Sequence, residues 1–122
     1  VPTPDKKNAD AFIKKTVKKA FDKLKEQFES NHIQADISVT ETGLVFKVFH
    51  GDEHDFIYGV HKKKLAQPDF TLEDSDSYYR AEVHLSEGGQ DYDIMGWSEI
   101  AVINDVIEQY QKHMHFLHLL RE

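Results

Sequence analysis

The spacing of hydrophobic residues changes period twice along this chain, and that change confines the fold more than any other feature. Ile13, Val17, Ala20, Phe21, Leu24 and Phe28 recur at steps of three and four, which predicts one helix with an apolar face over 5–30. Asp5 or Asn8 is placed to cap its start, and Ser30-Asn31 to end it. From residue 33 the period becomes two. Ile33, Ala35, Ile37 and Val39 alternate with polar residues and predict a strand over 33–40. Further strands are expected at 44–50, at 55–61 with Phe56, Tyr58 and Val60 on one side, and at 78–85 with Tyr79, Ala81, Val83 and Leu85 inward. Gly88-Gly89 then signals a hairpin into a short strand at 90–95. Turn residues at Glu41-Thr42-Gly43 and Gly51-Asp52-Glu53 leave only short connections, which favours an antiparallel meander.

Residues 62–76 read as a loop. They hold Lys62-Lys63-Lys64, Pro68 and the acidic run Glu73–Asp76, with Phe70 and Leu72 tucked inward. At residue 98 the helical period returns. Ser98 caps the start, Glu99 sits where the helix dipole favours an acid, and Ile100, Ile103, Ile107, Tyr110, Met114 and Leu117 follow at helical steps. Val102, Val106, Phe116, Leu119 and Leu120 widen that stripe, which is expected to be core or to face a partner, so Ile103→Asp or Ile107→Asp is expected to unfold the chain. The order of elements gives an α+β fold: an antiparallel sheet of four to five strands, with an N-terminal and a C-terminal helix packed on one face. Val1-Pro2-Thr3-Pro4 reads as a linker cut from a longer protein, leaving one domain over 5–122.

Charge narrows the function. The 122 residues carry a formal charge of −7, the wrong sign for a typical nucleic-acid binder. The distribution is uneven: residues 1–31 hold eight lysines against five acids, and the remainder holds seven basic groups against seventeen acids. Lys7, Lys14, Lys18 and Lys25 form a stripe beside the apolar face of the first helix. With Lys62, Lys63 and Lys64 they are the candidate contact for anionic lipid headgroups or a regulatory partner. Read as an ordinary solvated face, the same stripe contains the local pairs Lys18/Asp22 and Lys25/Glu29.

Other chemistry is sparse. There is no cysteine, hence no disulfide, thiol nucleophile or thiolate-bound zinc. No Gly-rich phosphate loop or serine nucleophile elbow occurs, and the acid pairs Asp52/Glu53 and Asp74/Asp76 sit in polar, turn-like runs, so no enzymatic activity and no cofactor are expected. Asp91–Gly96 resembles the opening of a calcium loop but places Met95 and Val102 where ligands are required. It is expected to be a turn, with Met95 and Trp97 packed on the sheet. Eight histidines would carry the formal charge from −7 to +1 on full protonation. His115 and His118 share a helix face, but no third ligand is evident there, and the expectation is no metal site.

The runs Asp55–Val60, Tyr78–Leu85, Glu87–Trp97, Val102–Val106 and Gln109-Tyr110, with His113 and His115–His118, resemble the C-terminal cytoplasmic domain of BetT-type choline transporters, in the betaine/choline/carnitine transporter family. The likeness is dense over 55–120. It implies a parent at the bacterial inner membrane that takes up choline, a precursor of glycine betaine, with its transmembrane part preceding Val1 and this region regulating uptake on the cytoplasmic face. It implies as partners the transmembrane part of the same transporter and, through the lysines, anionic lipid. The family's substrate pocket lies in the membrane part, so none of its residues map here. Two other classes fit the residues alone. One is a small-ligand sensor using Tyr58, Tyr78, Tyr79, Tyr92 and Trp97 as faces for a quaternary ammonium. The other is a homo-oligomer formed through the last helix.

Overall fold

The computed structural model describes residues 6–51, 55–66, 77–86 and 91–121, with backbone alone for 65, 66, 77, 78 and 116–121. The expected linker, the Asp5 cap, the Asp52/Glu53 and Asp74/Asp76 pairs, the tucked Phe70 and Leu72, and the Gly88-Gly89 turn lie outside the described residues.

The first long segment is helical from Lys6 to Ser30 but not uniformly so. Helix α1, Lys6–Ala11, passes into a π-helical turn and a half, Phe12–Val17, and then into α2, Lys18–Ser30. Within the π segment the backbone bonds skip one residue further, and the Lys18 N–H reaches the Ile13 carbonyl. Ala9, Ile13, Val17, Ala20, Phe21 and Leu24 are all buried along one side. Asn8 lies inside α1 rather than at its cap. The helix ends where expected, with Asn31 at the C-cap, but the residue that reverses the chain is His32, at φ 64°. Its N–H bonds Glu29 and that of Ile33 bonds Phe28, the paired bonds that close a helix on a left-handed residue.

Five strands follow in sequence order across one antiparallel sheet: β1 Ala35–Val39, β2 Gly43–Val48, β3 Phe56–Ala66, β4 Ser77–Leu85 and β5 Tyr92–Asp93. The register sorts the side chains. Phe46 faces Tyr58, which faces Leu85, and Leu44, Val60, Val83 and Tyr92 form the next row of the same side. Both helices cover this side. Phe21 meets Phe46 and Tyr58 with ring centres at 5.4 and 6.0 Å, and Tyr110 of helix α3, Glu99–Arg121, meets Phe56 at 5.4 Å and Phe28 at 4.8 Å. The α+β architecture is as the periodicity predicts.

Three differences from the expected elements matter for the site. Strand β3 runs five residues beyond its expected end, so Lys62, Lys63 and Lys64 are strand residues paired with Ala81, Arg80 and Tyr79 rather than loop. A lysine run has little strand preference of its own; here Asp10 and Glu82 supply the counterions, at 2.7 and 3.8 Å from Lys62 and Lys63. Strand β5 is shorter than expected. The Asp93 carboxylate accepts the N–H groups of Ala81 and Met95 and turns the chain out of the ladder, and Gly96 continues the turn at φ 84°. Met95 and Trp97 pack against the core as expected, beside a fully buried Ile94.

The third difference is the phase of α3. Ser98 caps it, accepting the Ala101 N–H at 3.1 Å. The buried line, however, is Val102, Val106 and His113, while Ile103, Ile107, Tyr110 and Met114 are half-buried flanks. Ile100 is 69% exposed, and the Leu117 side chain lies outside the described residues. The reason is Asp105. It lies toward the sheet and accepts hydrogen bonds from Tyr58 at 2.6 Å and Tyr92 at 2.5 Å. A carboxylate on the inner face carries no hydrophobic signal, so counting apolar residues places the stripe one position too far round.

Candidate functional site

A concavity lined by several lysines lies between the first helical segment and the β1–β2 hairpin, with a volume of about 470 Å³. One wall is α1, the π turn and the start of α2. The other is residues 39–44, and Lys62 of β3 contributes to the lining. The hairpin wall is held by a short chain of bonds. Thr40 N–H donates to the Gly43 carbonyl, Gly43 N–H to Thr40 Oγ1, and Lys62 N–H to the Thr42 carbonyl at 2.7 Å. A Cβ on Gly43 would stand 1.8 Å from the Val60 carbonyl oxygen, so only glycine lets the hairpin lie this close to β3.

The groove is electropositive. Lys6, Lys14, Lys18 and Lys62 line it, against Asp10 and Glu41. The hydrogen bond from Lys62 holds the Asp10 carboxyl below the usual carboxylate range against the opposing effect of burial, and the charges of Lys62, Lys14 and Lys6 act in the same direction. Lys18 is paired with Asp22 at 2.5 Å. Among the described residues Lys6 and Lys14 make no ion pair within 4 Å. Val39, 78% exposed, adds an apolar rim. Ammonium groups converging on an open cleft suit an anionic group on another surface.

Of the seven lysines singled out by sequence, the fold brings Lys14, Lys18 and Lys62 together here. Lys25 pairs with Glu29 at 3.3 Å, Lys63 lies on the opposite sheet face near Glu82, and Lys7 and Lys64 are exposed elsewhere. The local pairs Lys18/Asp22 and Lys25/Glu29 form as their spacing predicts. Sequence reasoning missed Lys6 and the hairpin wall, because the hairpin approaches the helix only through the register of the sheet. The π turn carrying Ile13 and Lys14 also had no sequence signal; such turns recur at functional positions.

The aromatic residues do not assemble a cage among the described side chains. Tyr58 is fully buried with its hydroxyl committed to Asp105, and Tyr92 and Trp97 stand 6.4 Å apart at a tilted angle. Burial first, then the bond to Asp105, pushes both the Tyr58 and the Tyr92 phenol well above the ordinary tyrosine range. On α3, His113 is buried and His115 exposed, and the His118 side chain lies outside the described residues. Glu82, His84 and Asp91, on the sheet face away from the helices, are the group with metal-ligand geometry among the described residues. No described helix is long and apolar enough to cross a membrane.

No protein-family model matches the chain. Individual proteins do. The chain is 45% identical over 121 residues, 95% of its length, to a glycine betaine transporter of Acinetobacter baylyi. It is 38% identical over 78 residues, 62% of its length, to the high-affinity choline transport protein of Escherichia coli K12. It is 30% identical over 106 residues, 79% of its length, to the osmo-dependent choline transporter BetT2 of A. baylyi. The first alignment extends through the N-terminal helix and early strands, beyond the region where sequence motifs alone carried the likeness. The chain spans 18%, 12% and 16% of these relatives, under a fifth of each. In sequence it is thus a homologue of one segment of the BetT-type choline and glycine betaine transporters.

Proposed function

We propose that the chain is the C-terminal cytoplasmic part of a bacterial secondary transporter for choline or glycine betaine, and that it performs no reaction but adjusts uptake to ionic conditions. The observation that carries the reading is the 45% identity running through 95% of the chain while covering only 18% of a glycine betaine transporter. A segment of that size with its own sheet and core is an added unit rather than the permease itself. A second relative is named for osmotic dependence.

The lysine-lined groove is the proposed contact, made with the transmembrane part of the same transporter or with anionic headgroups beside it. Exposed ammonium groups attract such a surface over roughly a Debye length, which falls from about 10 Å at 0.1 M salt to about 3 Å at 1 M. Accumulating salt would release the segment and change the activity of the permease. The test combines two assays on Lys14→Glu with Lys18→Glu, the first at an exposed position and the second at a half-buried one that gives up its pair with Asp22, so the fold of the variant is checked by circular dichroism. The unsubstituted chain is expected to co-sediment with phosphatidylglycerol vesicles at low salt and to be released at high salt. The substituted transporter is expected to respond to osmolarity at a shifted threshold. A response curve superimposable on the unsubstituted one would exclude the groove as the contact. Vesicle binding absent while the threshold shifts would point to a protein contact instead of lipid.

A further inference from the structure

The sheet face turned away from the helices carries a second constellation, separate from the groove's chemistry and from the transport reading. Strand register puts His61 opposite Glu82, and His84 opposite Gly59. Asp91 stands just before β5, its Oδ2 3.0 Å from His84 Nδ1. One ligand atom from each of Glu82, His84 and Asp91 lies within 4.8 Å of the others. Glu82 is only 5% exposed, unusual for an acid on a face that no described helix covers. His61 packs edge-on against His84, ring centres 4.9 Å apart, with its Nδ1 2.8 Å from Thr42 Oγ1. Gly59 makes that placement possible: a Cβ there would stand 2.8 Å from His61 Nε2. The pocket around these groups measures about 450 Å³.

We infer that Glu82, His84 and Asp91 form a binding site for a divalent transition-metal ion, with His61 as a flanking imidazole. One nitrogen and two carboxylates are a donor set that zinc and its neighbours accept. Donors on one ion at about 2.0–2.1 Å stand roughly 3–3.5 Å from each other, so the His84–Asp91 pair is already at ligand spacing and Glu82 needs a shift of up to about 1.5 Å. A Thr42 hydroxyl accepting from His61 Nδ1 would leave Nε2 as the metal-competent nitrogen, the usual way a ligand imidazole is oriented. The cations now near Glu82 are Lys63 at 3.8 Å and Arg80 at 3.5 Å. Arg80 is also held by Asp93 at 3.7 Å, while the Lys63 side chain is 57% exposed and is the group that an incoming ion displaces.

The test is calorimetric titration of the metal-stripped 122-residue chain with Zn²⁺ in a non-coordinating buffer. One saturable site is expected, weakened on the order of tenfold or more by His84→Gln and by Asp91→Asn, and unchanged by His115→Ala on the last helix. Both weakening substitutions are at exposed positions, and sub-stoichiometric Co²⁺ gives a readout that needs no substitution: the His84 and His61 ring resonances should broaden first. No saturable heat, heat lost with His115→Ala but kept with His84→Gln, or Co²⁺ broadening centred on other histidines would overturn the proposal.

Discussion

Asp105 is one carboxylate accepting from two phenols, those of Tyr58 on β3 and Tyr92 on β5, with the Gln109 amide 3.5 Å from its other oxygen. It ties α3 to two strands at a point where the surroundings are otherwise apolar. Tyr58→Phe deletes one hydrogen bond to a charged acceptor while Tyr92 stays on the same oxygen, so it should cost about 1.5–3 kcal/mol in chemical denaturation. Asp105→Ala should cost more, because two hydroxyls lose their acceptor. The same site makes stability fall at alkaline pH. Tyr58 and Tyr92 hold their protons in the folded state above the pH at which an unfolded tyrosine releases its own, near 10. Their contribution is therefore complete below pH 10 and declines above it, by about 1.4 kcal/mol per pH unit for Tyr58, with a smaller part from the half-exposed Tyr92. Stability measured from pH 8 to 11 should show that slope, and Tyr58→Phe should flatten it. An unchanged slope in the variant would mean that another group titrates.

Element by element, the parts legible in sequence were those whose cause is local. Two helices and a meander followed from periodicity, and the Ser98 cap and the Lys18/Asp22 pair followed from spacing. What escaped the reading depends on distant partners. Lys62–Lys64 became strand because Asp10 and Glu82 meet them, and the π turn and the groove exist only once helix and hairpin are packed. Helix α3 was misphased because its inward Asp105 looks polar in a list. Its true phase gives a sharp expectation. Val106→Asp, at a position with no exposure, should unfold the chain, since a buried unpaired carboxylate costs several kcal/mol. Ile100→Asp, at a position 69% exposed, should change stability by no more than about 0.5 kcal/mol. Thermal denaturation of the two variants decides between this phase and the one counted from hydrophobic spacing. A destabilised Ile100→Asp beside a stable Val106→Asp would restore the latter.

Across the whole molecule the sheet separates two chemistries. One side is the apolar layer sealed by the helices, with the lysine-lined groove at its edge. The other is a polar face where histidines, carboxylates and Lys63 meet. Ion pairs also join the layers, Lys62 to Asp10 between sheet and α1 and Lys23 to Glu99 between α2 and α3. Such partly exposed contacts weaken with salt while the apolar layer does not, so rising ionic strength acts on the surface of this molecule before it acts on its core. That is the property a salt-responsive attachment to a permease needs. The most direct measurement is choline and glycine betaine uptake against external osmolarity by the proposed parent transporter with and without these 122 residues. The account predicts that transport persists in the truncated protein but loses or shifts its osmotic response. An identical osmotic response without the segment would contradict it.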